Sequence, residues 1–150
     1  MPVFESRVVA AGDGYRENRE FLLGAIAELE GLLQRARDVS ALSGPRFAKR
    51  GQLLPRERLA LALDPGAPFL ELCSLAGYLR DTKDPAKSVP GCSAIAGIGY
   101  ISGVRCMIVV DDAGIAAGAA QPMGGHKMLR LEEIALKQRL PFVHLVESAG

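Results

Sequence analysis

The stretch from Cys92 to Gly150 constrains this chain more than any other. It holds two short apolar runs, CSAIAGIGYI and RCMIVVDDA, joined at Ser102-Gly103. A loop of small residues, GIAAGAAQPMGG, leads into a helical pattern, HKMLRLEEIALKQR, and then into a third apolar run, LPFVHLVES. The pattern predicts a β-hairpin, a helix over 122–138 and a strand over Leu140–Val146. Met107–Val110 is nearly all apolar, as a strand buried on both faces is. A strand, a crossover helix and a second strand make a βαβ unit, so these two strands are expected to be parallel, with a right-handed crossover. Gly97 and Gly99 inside a strand point to close backbone approach.

Composition limits what such a unit serves. The 150 residues suffice for one domain, and 49% hydrophobic with 23% charged residues is globular composition. A net charge of +1 provides no global field for nucleic acid or a membrane surface. Cys73, Cys92 and Cys106 form no CxxC pair, which argues against zinc-ribbon and thioredoxin-type sites, and no metal site is expected. Their apolar surroundings suit free thiols in a reducing compartment. No run reaches the ~18 apolar residues of a membrane span, and the N-terminus does not read as a secretory signal.

Earlier in the chain, Met1–Gly12 reads as an extended lead-in. From Asp13 or Gly14 a helix of about six turns is expected, its stripe carried by Phe21, Leu22, Ala25, Ile26, Leu29, Leu32, Leu33 and Ala36 and its end near Ser40–Gly44. That stripe suits either its own domain or a larger assembly. Pro55 opens a short helix with Leu59, Leu61 and Leu63 partly buried, and Asp64-Pro65-Gly66 forms a stop and turn. Residues 69–79, FLELCSLAGYL, read as a strand, and 80–91 as a polar loop.

The small-residue loop at the end of a strand, ahead of a helix N-terminus, directs N–H groups at one place. It suits a phosphate, a developing oxyanion such as a thioester enolate, or plain tight packing. The absence of GxGxxG and GxxxxGK[ST] weakens a dinucleotide or P-loop reading. No catalytic triad emerges: His126 and His144 sit on a helix start and a strand, Asp111-Asp112 read as loop caps in preference to metal ligands, and Glu147 is an acid or base without a visible partner. Arg46, Lys49, Arg50, Arg56 and Arg58 form a basic cluster, either a solvated face or an anion clamp suited to coenzyme A.

The runs RGQLLPRERLALALDPGAPFLEL and AGIGYISGVRCMIVVDDAGIAAGAAQPMGGHKMLRLEEIALKQRLPFVHLVESAG resemble the amino-terminal half-domain of the carboxyltransferase (β) subunits of biotin-dependent acyl-CoA carboxylases, of the methylcrotonyl-CoA and geranyl-CoA type. The resemblance covers roughly Tyr15–Gly150. It implies an α/β, crotonase-like spiral of β-β-α units, incomplete and preceded by a long N-terminal helix. Residues 1–44 are then lead-in and helix, and 45–150 the first part of the carboxyltransferase domain.

The implied activity is transfer of a carboxyl group from carboxybiotin to an acyl-CoA through its enolate. Biotin would be carried on a partner, a biotin carboxylase or biotin-carrier subunit, and the β subunits would form a homo-oligomer. Backbone N–H groups of Ala117, Gly118 and Ala119 become the oxyanion donors, although Ala117-Gly118-Ala119-Ala120 departs from the two adjacent glycines usual in the family. Arg56, Arg58 and Lys127 become the coenzyme A contacts. The same resemblance implies that the later glycine turn and the biotin-facing half are missing from these residues, through truncation or as a decayed paralogue, that the chain alone lacks turnover and is unstable or oligomeric, and that the compartment is the bacterial cytoplasm or the mitochondrial matrix. A non-catalytic acyl-CoA- or subunit-binding module and another crotonase-fold acyl-CoA enzyme are the alternatives.

Overall fold

The computed structural model describes residues 6–148. The part of the expected lead-in at 1–5 and the terminal 149–150 lie outside the described residues. The chain divides into two compact units, Met1–Gly31 and Leu32–Gly150. The first consists of a short turn, Gly12 N donating to Val9 O, and the opening turns of helix α1 (Asp13–Ala41). Its apolar positions Phe21, Leu22, Leu23, Ile26 and Leu29 are exposed.

The second unit begins with the last turns of α1 and continues through α2 (Gly44–Lys49) and α3 (Pro55–Ala62). Strand β1 (Leu70–Glu71) is followed by β2 (Ala94–Ile101), β3 (Val104–Asp111), helix α4 (Pro122–Gln138) and β4 (Phe142–Leu145). The sheet order is β1-β2-β3-β4. β2 and β3 pair antiparallel and β3 and β4 pair parallel, as the βαβ reading requires.

β3 is the core. Its alternation sends Cys106, Ile108 and Val110 to one face, with Leu59 of α3 and Ile95, and Met107 and Val109 to the other, with Leu131 and Ala135 of α4. Each apolar residue from Cys106 to Val110 therefore finds a partner. Full burial of one such side chain, Leu131 for instance, contributes about 1.5–3 kcal/mol. Gly97 lies where β1 crosses β2: a Cβ there would sit 2.3 Å from Leu70 O. The hairpin turn at Ser102-Gly103 has both residues left-handed, φ 50° and 75°. Asp64, at the end of the α3 segment, secures it by accepting from both N–H groups at 2.7 Å.

Two expectations need correction. The strand over 69–79 shrinks to Leu70–Glu71. After Leu72 N bonds to Ala96 O, the chain coils through left-handed Cys73, Gly77 and Leu79. Gly77 allows that coil to lie against Cys92: a Cβ there would meet its Sγ at 2.6 Å. Leu61 of α3 is 76% exposed, because α3 contacts the sheet mainly through Leu59 and Leu63. On α4, Leu129 and Leu136 face outward, while Leu131 and Met128 pack inward beside Ala135 and Ile134. The strip facing β3 is set by where the helix lies on the sheet, and an all-round leucine pattern does not reveal it.

Candidate functional site

The loop from Asp112 to Gln121 leaves the end of β3 and enters α4. At its centre a single 3-10 turn, Ala116–Gly118, has three consecutive left-handed residues, φ 48°, 53° and 71°. Gly118 N donates to Ile115 O and Ala119 N to Ala116 O, at 2.9 and 3.0 Å. Of the three expected donors, Gly118 and Ala119 thus spend their N–H groups inside the turn. No turn hydrogen bond uses the Ala117 N–H among the described residues.

The start of the loop is held from the helical side. Asp112 is buried, and its Oδ1 accepts from Ser40 Oγ and Gly114 N, both at 2.9 Å. Burial raises its carboxyl pKa, and the Ser40 hydrogen bond works against that rise. Ser43 Oγ donates to Gly114 O, and Arg46 to Ala113 O at 2.9 Å. Asp112 therefore caps the loop, whereas the Asp111 carboxylate accepts from Glu147 N at 3.1 Å on the β4 side.

The end of the loop is held through α4. Asp81, some forty residues away in sequence, accepts from Met123 N at 3.0 Å and places a carboxylate at the helix N-terminus. Its other oxygen receives the Cys92 thiol at 3.6 Å. Burial, and then the Asp81 charge, push that thiol up to about 11. Nothing in the local sequence around Asp81 signals this role, since helix capping is normally read within three residues of the helix start.

The three cations expected at coenzyme A are all engaged within the fold. Arg56 forks onto Glu71, with contacts of 3.1 and 3.2 Å. Arg58 Nη2 donates to Asp111 O at 2.6 Å and lies 3.0 Å from Glu147 Oε2. Lys127 is 5% exposed, and its Nζ donates to Gly91 O and Ala94 O at 3.0 and 2.6 Å. Burial lowers its pKa. Glu147, read as lacking a partner, has two: the Arg58 ion pair and Gln52 Nε2 at 2.9 Å. His126 is exposed, and His144 Nε2 lies 2.8 Å from Asp111 Oδ1.

Two cavities meet the turn. One, of about 200 Å³, joins Ala117 and Ala113 to Arg46, Arg50, Gln52 and Glu147. The other, of about 250 Å³, meets Ala116 and is lined by Val39, Gly77, Val89 and Gln121 among others. In the first, Arg46 is exposed, and Arg50 is exposed with a side chain that makes no ion pair or hydrogen bond among the described residues. Arg46 and Arg50 stood in the basic cluster of the sequence, but only the fold sets them beside Ala117.

A strand hairpin followed by a helix and a parallel strand, with a small-residue turn at the mouth of a basic cleft, defines a crotonase-like α/β protein. Residues 46–150 match the carboxyl transferase domain family, and the chain belongs to it. It is 47% identical over 107 residues to the biotin-dependent 3-methylcrotonyl-coenzyme A carboxylase beta1 subunit of Mycobacterium tuberculosis, covering 70% of this chain and 19% of that protein. It is 34% identical over 149 residues to a probable mitochondrial methylcrotonoyl-CoA carboxylase beta chain of Drosophila melanogaster, covering 99% of this chain and 25% of that protein. The geranyl-CoA carboxylase beta subunit of P. aeruginosa superposes with a TM-score of 0.89 at 49% identity, over 99% of this chain and 27% of that one. A transcarboxylase crystallised as a hexamer shares the fold, with a TM-score of 0.68 at 24% identity over 83% of this chain and 25% of that one. The chain spans about a fifth to a quarter of the length of such relatives. No helix among the described residues is long and apolar enough to cross a membrane.

Proposed function

We propose that this chain supplies part of the acyl-CoA side of a biotin-dependent carboxyltransferase. The observation that carries the reading is the Ala117 N–H, left over by its own turn at the mouth of a cleft holding Arg46 and Arg50, in a chain of the carboxyl transferase domain family. Carboxybiotin, carried by a partner protein or domain, supplies the activated carboxyl group, and no described residue is assigned to it. In this chain Ala117 N–H donates to the thioester oxygen as negative charge develops there. Gly118 and Ala119 hold the turn. Arg46 and Arg50 take the phosphates of coenzyme A. Arg56, Arg58 and Lys127 support the cradle from behind through Glu71, Asp111 and the Gly91–Ala94 carbonyls.

The family match from residue 46 supports treating 1–44 as a lead-in and 45–150 as the carboxyltransferase segment. The names of the relatives support a methylcrotonyl- or geranyl-CoA-like substrate and a biotin-bearing partner, and the mitochondrial location in the Drosophila relative's name supports the mitochondrial one of the two expected compartments. Calorimetric titration with coenzyme A tests the reading. Binding is expected to weaken at least fivefold in Arg50→Ala and to change less than twofold in Arg56→Ala. Absence of binding to the parent chain, or equal binding by parent and Arg50→Ala, overturns it.

A further inference from the structure

Two alanines in succession hold left-handed backbone at Ala116 and Ala117. L residues other than glycine resist that conformation, and it persists only where surroundings impose it. The structure shows what imposes it. Ser148 Oγ donates to Gly118 O at 2.9 Å, and a Cβ on Gly118 would lie 2.4 Å from Glu147 O. The turn is thus seated directly on the chain leaving β4.

Glu147 is itself fixed from three directions. Its N–H donates to Asp111 Oδ2 at 3.1 Å, its Oε1 accepts from Gln52, and its Oε2 faces the Arg58 guanidinium at 3.0 Å. Oε2 is buried without a hydrogen bond, so Arg58 is its compensating charge. The same Arg58 nitrogen donates to Asp111 O at 2.6 Å. Arg58 therefore bridges the end of β3 to the chain just past β4, the two points between which the loop and α4 run.

We propose that the Arg58–Glu147 ion pair is a positioning device that sets the 116–118 turn and with it the direction of the Ala117 N–H. This rests on the carboxyltransferase reading and assigns to Arg58 and Glu147 a role through the turn, without contact to coenzyme A.

The test uses Glu147→Gln, which keeps the side chain's shape, together with Arg58→Met and Arg58→Lys. Three readouts separate the roles. One is affinity for coenzyme A. The second is affinity for a nitroalkyl thioether of coenzyme A, whose nitronate carries negative charge where an enolate oxygen would. The third is the backbone amide resonance of Ala117 in the labelled chain. Arg58→Met is expected to hold coenzyme A affinity within twofold, to weaken the nitronate at least tenfold and to move the Ala117 amide, and Glu147→Gln, which also alters the cleft wall, to weaken the nitronate relative to coenzyme A at least tenfold and to move the same amide. Arg58→Lys should recover part of the loss. Unchanged nitronate affinity with an unmoved Ala117 resonance overturns the proposal. So does an equal loss of both affinities with Ala117 unmoved, which would make Arg58 a direct coenzyme A contact. A parent chain that binds neither ligand overturns the acyl-CoA reading, while the Ala117 resonance in the variants still decides whether the pair sets the turn.

Discussion

Ser40 Oγ donates to Asp112 Oδ1 at 2.9 Å, joining the last turn of α1 to a buried carboxylate where the loop leaves β3. A residue chosen from the sequence only as a helix end is thereby one of the supports of the candidate site. Ser40→Ala removes that support while Asp112 stays buried. A loss of about 1–3 kcal/mol is expected, measured by urea unfolding. Ser40→Thr, which retains the hydroxyl, should lose less.

The same pair gives a pH dependence. Burial raises the Asp112 pKa above the 3.8 of an ordinary aspartate. A carboxyl with a raised folded-state pKa favours folding while protonated, and that contribution is lost as pH rises through the folded value. Asp112→Asn can keep the acceptor for Ser40 and Gly114 without titrating. The stability of the variant relative to the parent should therefore increase from pH 4 to pH 7, in paired thermal melts. A difference independent of pH would show that Asp112 carries no such penalty.

Lys127 bridges two carbonyls from a buried position. Lys127→Met removes charge-assisted hydrogen bonds and leaves Gly91 O and Ala94 O short of a donor, an expected loss of about 1.5–3 kcal/mol in urea. Cys92 gives a check on the same region. With its thiol at about 11, it should react with iodoacetamide at pH 8 far more slowly than the partly exposed Cys73. In Lys127→Met the thiol loses the cation that holds its pKa down, so its labelling should slow further.

Glycine substitutions separate space from backbone conformation. Gly97→Ala meets Leu70 O at 2.3 Å and should detach β1, read as faster amide exchange at Ile98. Gly24 in α1 has nothing within 4 Å of an added Cβ. There Gly24→Ala should stabilise the helix by about 0.5–1 kcal/mol, seen as a rise in melting temperature with unchanged coenzyme A affinity.

The hairpin turn makes the last prediction. Asp64→Ala removes the acceptor for Ser102 N and Gly103 N, so the turn should loosen, with faster exchange of both amides. Ser102→Gly relieves a left-handed non-glycine position, φ 50°, and should gain about 0.4–1 kcal/mol. Unfolding curves of the single and double variants measure both effects.

Much of this architecture was legible in the residues because it rests on local rules. Pro122 and the run to Gln138 bound α4, Ser102-Gly103 marks the turn, and the unbroken apolar run in β3 announces burial on two faces. The 69–79 strand was misread because β-propensity there is overridden by the coil through Cys73, Gly77 and Leu79, packed against Cys92. In the candidate site, the small-residue loop was legible and its bonding was not. Ala117, Gly118 and Ala119 look equivalent as letters, yet the turn consumes the N–H groups of the last two.

The sequence by itself determined the hairpin, helix and strand order from β2 to β4, the parallel β3–β4 pairing and the resemblance to carboxyltransferases, since periodicity, turn chemistry and motif order are properties of neighbouring residues. Only the tertiary structure decided which charges are available. Lys127 is buried onto two backbone carbonyls, Arg58 is turned inward onto Glu147 and Asp111 O, and Arg56, still partly exposed, is tied to Glu71, while Arg50 is left at the cleft. A buried cation must find compensating oxygen atoms, and those come from segments tens of residues away that only the packed sheet brings within 3 Å or so.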